Sequence, residues 1–411
     1  MNLPAIEVRP ANAQRPVTII AVVTALCLLG DSMLYIVLPI YWKEVGLNAL
    51  WEVGFLLSIN RFVRLPLTPL IGMLYKRMPI STGLILAVLL GVATTIGYGV
   101  CKGFILWLIL RCMWGVAWSF LRMGGYLAVI HYSDDSNRGR LMGRYNGISR
   151  LGSLVGMLFG GIFVPLAGID LVSIVFGLIM LTGLPFITIF IPAKKTGRAD
   201  LAQLRKEQHD RPKTIWTKPV MKIITTGLFI YLFQAVLSAT LSLLIETHYS
   251  KEIMLIGIVV TSTMLSGVLQ AARWSWEPFL ATWIGMRSDG PKGRLSLFSL
   301  TLIGSAAGYA LIPWQLPLYL WCTVILFIMA ASTAISTLMD ALASDAARTS
   351  SVVPVMTAYS IATDTGAALG PIFVYLLIDL PGSMMYIYAG IALLILLIAL
   401  WHRSHLFNRF S

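Results

Sequence analysis

The sequence predicts an all-α polytopic membrane protein, with twelve transmembrane helices arranged as two pseudo-symmetric six-helix bundles. Three observations carry that prediction. Of 411 residues, 57% are hydrophobic and only 12% are charged, half the charge content of an ordinary soluble chain. Apolar runs near the ~20 residues that cross a bilayer recur along the whole length. The second half also repeats the first at an offset of about 213 residues. The same numbers exclude a disordered or collagen-like chain. The four cysteines exclude a disulfide scaffold, because Cys27, Cys112 and Cys322 lie inside apolar runs and Cys101 lies at the end of one.

Taken in order, the predicted spans are 17–41, 50–75, 80–100, 103–130, 142–165 and 168–191, then 222–246, 253–285, 295–313, 317–340, 354–378 and 382–402. The first is too long for a signal peptide and contains Asp31, so it is read as a retained helix. Polar or Pro/Gly breaks separate the others, among them Lys43-Glu44, Lys76-Arg77, Lys102-Gly103 and Pro381-Gly382. The longest polar stretch holds Lys194, Lys195, Arg205, Lys206 and Arg211 and divides six spans from six. The organisation expected is a cytoplasmic tail over 1–16, an N-terminal bundle over 17–192, a cytoplasmic linker over 193–221, a C-terminal bundle over 222–402 and a second cytoplasmic tail over 403–411.

The net charge of +13 does not call for a nucleic acid. With the N-terminus inside, 22 of the 31 Lys and Arg fall in cytoplasmic segments and only Lys43, Lys102 and Lys251 on the other face. That asymmetry in short loops is the positive-inside pattern, and it predicts that both termini are cytoplasmic.

The repeat is visible residue by residue. Met142, Tyr145, Gly152 and Gly156 recur as Met356, Tyr359, Gly366 and Gly370, offset 214, and Ile71-Gly72-Met73 recurs as Ile284-Gly285-Met286, offset 213. Trp107 answers to Trp321. An even number of spans per repeat gives both halves the same orientation, an arrangement used by transporters with a midplane site between the halves.

These residues resemble the major facilitator superfamily over essentially the whole chain, and within it the twelve-span proton-coupled exporters. The family's motif at the end of span two is similar to Gly72-Met73-Leu74-Tyr75-Lys76-Arg77, with Lys76 where the family has Asp; Gly285-Met286-Arg287-Ser288-Asp289 keeps the Asp. Arg111 and Gly115 resemble the family's span-four motif. Gly143, Gly152, Gly156 and Gly160 resemble its antiporter motif, with Met157 in place of Pro, and Pro371 follows Gly370 in the other half. The resemblance implies alternating access around a cavity lined by spans one, two, four, five, seven, eight, ten and eleven. It implies gating and helix-packing roles for Gly72, Arg77, Gly143, Gly152, Gly156, Gly160, Gly285, Asp289, Gly366, Gly370 and Pro371. The glycines are read as a tight, kinkable seam between spans five and eleven.

Charge inside a span is expensive and tends to mark a pathway. All ten such groups fall on cavity-facing spans: Asp31, Arg61, Arg64, Arg111, Arg122 and Arg150, then Arg273, Glu277, Asp340 and Asp364. Asp31 and Arg111, with Glu277 and Asp364, are the candidates for proton coupling or for structural ion pairs, and both readings stay open. Arg61, Arg64, Arg122, Arg150 and Arg273, with Trp274 and Trp276, are the candidates for the substrate cavity. Arg150 and Asp364 occupy equivalent repeat positions, which invites a pair across the halves that breaks during transport; Arg273 and Glu277, four apart, are expected to neutralise each other.

His131 with Asp134 and Asp135 superficially resembles an acyltransferase loop but reads as a cytoplasmic connection. No metal-ligand spacing or phosphate-binding loop is present. The chain is therefore expected to be no enzyme and to need no cofactor or metal, a proton gradient being its energy source. The reading is proton-coupled export of a small organic solute by a monomer in the bacterial cytoplasmic membrane, with protons and lipids as its other partners. An importer or lipid flippase of the same fold is the alternative, and a polytopic membrane enzyme a remote one.

Overall fold

The computed structural model describes residues 14–75, 77–132, 138–191, 217–255, 258–288, 291–349 and 352–407. The 193–216 part of the linker, the loop bearing Asp134 and Asp135, and Lys76 and Asp289 lie outside the described residues, as do the chain ends. The helices are α1 (Gln14–Tyr41), α2 (Leu50–Tyr75), α3 (Ile80–Val100), α4 (Phe104–Tyr132), α5 (Arg138–Leu181) and α6 (Gly183–Phe190). They are followed by α7 (Lys218–Tyr249), α8 (Ser262–Arg287), α9 (Pro291–Leu311), α10 (Leu318–Thr349), α11 (Val352–Leu377) and α12 (Ser383–Phe407). Each predicted span is helical over most of its length. Among the described residues, nine stretches are long and apolar enough to cross a membrane. Helices α2 and α8 are not among them, since they carry Arg61 with Arg64 and Arg273 with Glu277 between their ends.

Two boundaries differ from expectation. The stretch assigned to spans five and six runs into α5 as far as Leu181 and then α6, with the break between the two spans inside α5 at Gly168, whose φ of 81° and ψ of 156° interrupt the rod; only glycine takes that conformation without strain, and Pro165 just before it weakens the helix there. The eighth span begins at Ser262, later than expected. Residues 252–261 form a hairpin, β1 (Glu252–Leu255) with β2 (Ile258–Thr261), in which Glu252 is opposite Thr261 and Leu255 opposite Ile258. The run Ile258-Val259-Val260 is β-branched and favours extended backbone. Thr261 then starts the helix, its Oγ1 accepting from the Met264 N–H at 3.3 Å.

Packing repeats between the halves. The closest partnerships are α1 with α5 and, equivalently, α7 with α11; α2 packs on α4 as α8 does on α10. Trp107 and Trp321 are both fully buried, and their indole N–H groups donate to the carbonyls of Cys101 and Ile312 at 2.9 and 3.0 Å. The first six helices meet the last six mainly through α2 against α11 and α5 against α8. At the side away from the chain ends these contacts are backbone-close. A Cβ on Gly54 would stand 2.6 Å from the Pro371 carbonyl oxygen, and one on Gly161 2.6 Å from that of Thr263. Toward the chain ends the halves part: a Cβ on Gly143, Gly147 or Gly285 would meet nothing within 4 Å, and Met73, Leu74 and Met286 are exposed.

The glycine seam lies elsewhere than expected. Gly152, Gly156 and Gly160 face Ala25, Leu29 and Met33 of α1, and Gly366 and Gly370 face Leu228 and Leu232 of α7. Small residues let helices approach closely, but here they do so inside each half, because α5 and α11 each pack chiefly against the first helix of their own bundle.

Candidate functional site

Where the halves diverge, a polar chamber of about 340 Å³ opens between them. Asp31 and Tyr35 come from α1, Asn60, Arg61 and Arg64 from α2, Trp118, Arg122 and Tyr126 from α4, and Arg150 from α5; the second half contributes Trp274 of α8 and Asp364 of α11. Each set follows helical spacing. Asp31 and Tyr35 are four apart, as are Asn60 and Arg64, and Arg122 and Tyr126, so each pair shares a helix face.

Asp31 is held by Arg111, whose Nη1 donates to Oδ1 at 2.5 Å while its Nε donates to the Leu56 carbonyl at 2.8 Å. Arg111 is completely buried and Asp31 is 14% exposed on its side chain. Asn60 Nδ2 reaches the same carboxylate oxygen at 3.4 Å. Arg111 thus stands behind the chamber wall and Asp31 in it.

Ion pairs cross between the halves at the chamber. Arg150 pairs with Glu277, and Arg122 Nη1 donates to Asp364 Oδ2 at 3.4 Å. The pairing of Arg150 with Asp364 that the repeat invites is not formed. Equivalent positions of a twofold repeat face the partner half's non-equivalent helices: α5 lies against α8, so Arg150 meets Glu277 instead. For the same reason Arg273 and Glu277 do not neutralise each other. The Arg273 guanidinium lies over the Trp274 ring at 5.6 Å, and Arg150 lies over the same ring at 5.5 Å. Asp340 accepts from the Tyr359 hydroxyl at 2.8 Å.

Arg61 and Arg64 differ from these. Arg61 donates to the Tyr35 hydroxyl at 3.4 Å from both Nε and Nη2, and Arg64 lies over Trp118 at 6.0 Å. Neither has a carboxylate within ion-pair distance among the described residues.

Of the sequence-predicted cavity residues, Arg61, Arg64, Arg122, Arg150 and Trp274 line the chamber, as do Asp31 and Asp364. Arg273 sits beside Trp274, while Trp276 packs against the apolar core and is absent from the chamber wall. Arg77 is exposed at the end of α2, and Gly72 approaches Met123 of α4. Sequence reasoning missed Tyr35, Asn60, Trp118 and Tyr126. Each lies four residues, about one helical turn, from a charged group already singled out, so i,i+4 spacing from Asp31, Arg64 and Arg122 would have found all four.

The molecule is a two-half helical bundle with a charged chamber lined by residues of both halves. The Major Facilitator Superfamily model matches residues 20–359, and the chain belongs to that superfamily. Membership places it among secondary transporters and apart from membrane enzymes. An uncharacterized MFS-type transporter, YcaD, of Salmonella newport is 28% identical over 144 residues; the matched stretch is 35% of this chain and 37% of that protein. The same figures hold for the Salmonella typhi protein. Among solved structures, a bacterial homolog of the human lysosomal transporter Spinster, inward-facing and unoccupied, has a TM-score of 0.74 at 14% identity, covering 98% of this chain and 99% of that one. A peptide transporter POT in complex with sulfate has 0.74 at 11% identity, covering 96% and 94%. At these identities the likeness is one of fold.

Proposed function

We propose that this chain is an alternating-access, proton-coupled exporter of a small organic solute bearing an anionic group, acting in the bacterial cytoplasmic membrane with both termini inside. One observation carries the substrate class: Arg61 and Arg64 line the chamber without a carboxylate partner among the described residues, Arg64 over the Trp118 ring, with Tyr126 in the same wall. Two guanidiniums in a low-dielectric enclosure favour an anionic group strongly, and the aromatic wall suits an apolar or planar remainder.

The positive-inside reading makes the parted side cytoplasmic, so this is the state that loads from the cell interior. Closure around a solute brings the ends of α5 and α8 together while the opposite contacts, Gly54 on α11 and Gly161 on α8, release. Asp31 supplies the titratable group at the chamber wall and Arg111 fixes its position. An anionic solute that takes Arg122 competes with Asp364, and one that takes Arg150 competes with Glu277, so binding loosens the bridges between the halves and couples occupancy to movement.

A lipid flippase has one observation in its favour. An entirely apolar groove of about 650 Å³ runs along α1 and both parts of α5, walled by exposed Leu151, Phe163 and Leu171 among others.

The test is transport by the purified protein in liposomes with an imposed pH gradient, using matched anionic, zwitterionic and cationic solutes. Gradient-driven movement of the anionic or zwitterionic members, lost in Arg61→Ala and Arg64→Ala, is expected. A preference for lipophilic cations that ignores both substitutions overturns the reading.

A further inference from the structure

The repeat offset of 213 extends through the middle of α2 and α8. It sets Leu57, Asn60, Arg61 and Arg64 against Gln270, Arg273, Trp274 and Glu277. In both helices these positions follow i, i+3, i+4, i+7 and so form one stripe. On α2 the stripe provides the chamber's unpaired guanidiniums. On α8 it carries a row of buried polar atoms that make no hydrogen bond among the described residues: the donors Gln270 Nε2, Arg273 Nε and Trp274 Nε1, and beyond them Glu277 Oε2, whose other oxygen is taken by Arg150; Gln270 is 1% exposed. A buried donor without a partner costs free energy, and a buried unpaired guanidinium costs more. Three together on one face are not explained by packing. Trp274 joins the two regions, since it lines the chamber and carries the Arg273 guanidinium over its ring.

Charge balance points the same way. With Arg111 taken by Asp31, Arg122 by Asp364 and Arg150 by Glu277, the intramembrane groups left over are Arg61, Arg64 and Arg273 against Asp340. The excess of two positive charges lies in the first half; in the second, Arg273 and Asp340 offset each other in number, but Asp340 accepts from the Tyr359 hydroxyl and forms no ion pair with Arg273.

We propose that Gln270, Arg273 and Trp274 form a second anion subsite, so that the solute is a dianion with one acidic group at Arg61 and Arg64 and the other at Arg273. The proposal rests on the anionic-solute reading above and adds to it the second acid and the residues that hold it. A ligand of this kind touches both halves at once, and its two acids satisfy donors that otherwise remain buried and unpaired.

The experiment is calorimetric titration of the full-length protein in detergent with dicarboxylates from malonate to suberate and with monocarboxylates of matched length. One diacid is expected to bind about tenfold or more tightly than its monoacid. Arg273→Gln reduces that diacid to the monoacid's affinity and leaves the monoacid unchanged, Arg273→Lys keeps most of the advantage, and Arg64→Gln weakens both. Thermal melting of each variant separates loss of binding from loss of folding. Equal binding of diacid and monoacid, or equal weakening of both by Arg273→Gln, overturns the second subsite and leaves the anionic-solute reading standing. If no carboxylate binds at all while cationic solutes do, both fall.

Discussion

Arg111 is fully enclosed, yet its guanidinium reaches Asp31 at 2.5 Å, and through that one contact a charge outside the chamber fixes the position of a carboxylate inside it. Removing either partner strands the other in an apolar interior. Breaking a buried pair from one side costs about 3–5 kcal/mol, whereas removing both charges costs less. Arg111→Ala is therefore expected to lower the melting temperature more than the Asp31→Asn, Arg111→Gln double substitution does. A double variant no more stable than Arg111→Ala would show that the pair contributes nothing through charge.

For coupling, Asp31→Asn and Arg111→Ala are both expected to abolish accumulation driven by a pH gradient, while counterflow exchange, which needs no net proton movement, persists in Asp31→Asn. If Asp31→Asn accumulates solute like the wild type, the proton site lies elsewhere, with Glu277 and Asp364 next to be tested.

The bridge between α5 and α8 gives a reciprocal test. Arg150→Glu and Glu277→Arg each place like charges face to face and are expected to reduce transport at least about tenfold; combining them restores the attraction and part of the activity. A double reversal as inactive as either single change would mean that these side chains act on the solute separately and not on each other.

Glycine positions separate contact from open space. A methyl group at Gly152 would come within 2.0 Å of the Ala25 carbonyl oxygen, and one at Gly366 within 2.0 Å of that of Leu228. Backbone cannot yield as a side-chain tip does, so Gly152→Ala and Gly366→Ala are each expected to cost about 1–3 kcal/mol or more. Gly143→Ala, in open space, should stay within about 0.5 kcal/mol. Melting curves of the three variants in one detergent decide the order.

The topology is tested by single cysteines and an impermeant thiol reagent on intact cells. Sites near 44–50, 101, 167, 250, 314 and 380 are expected to label from outside, and position 206 is not. Outside labelling at 206 would reverse the orientation and with it the side from which the chamber loads.

Much of this molecule was legible in the sequence because one physical term, the cost of polar groups in hydrocarbon, acts locally. Apolar runs marked the helices, and the costly charges within them marked the chamber: Arg61, Arg64, Arg122 and Arg150 all line it. Pairing was not legible, because partners depend on which helices face each other. The repeat offset identified Arg150 and Asp364 as equivalents but said nothing of the α5 and α8 contact that gives Arg150 to Glu277. The hairpin before α8 was missed for a different reason. Ile253 to Val260 is as apolar as a span, and hydropathy does not distinguish strand from helix where β-branched residues dominate.

The closed side of the chamber is held by main chain against main chain, at Gly54 with Pro371 and at Gly161 with Thr263, whereas the bridges beside the chamber are ionic. Mobile ions screen charge and leave dispersion contacts untouched. Raising ionic strength in the compartment that the chamber faces should therefore speed parting of the arginine–carboxylate bridges without changing how firmly the far side stays shut, so the two steps of the cycle have separate rate sensitivities, one to electrolyte and the other to side-chain bulk.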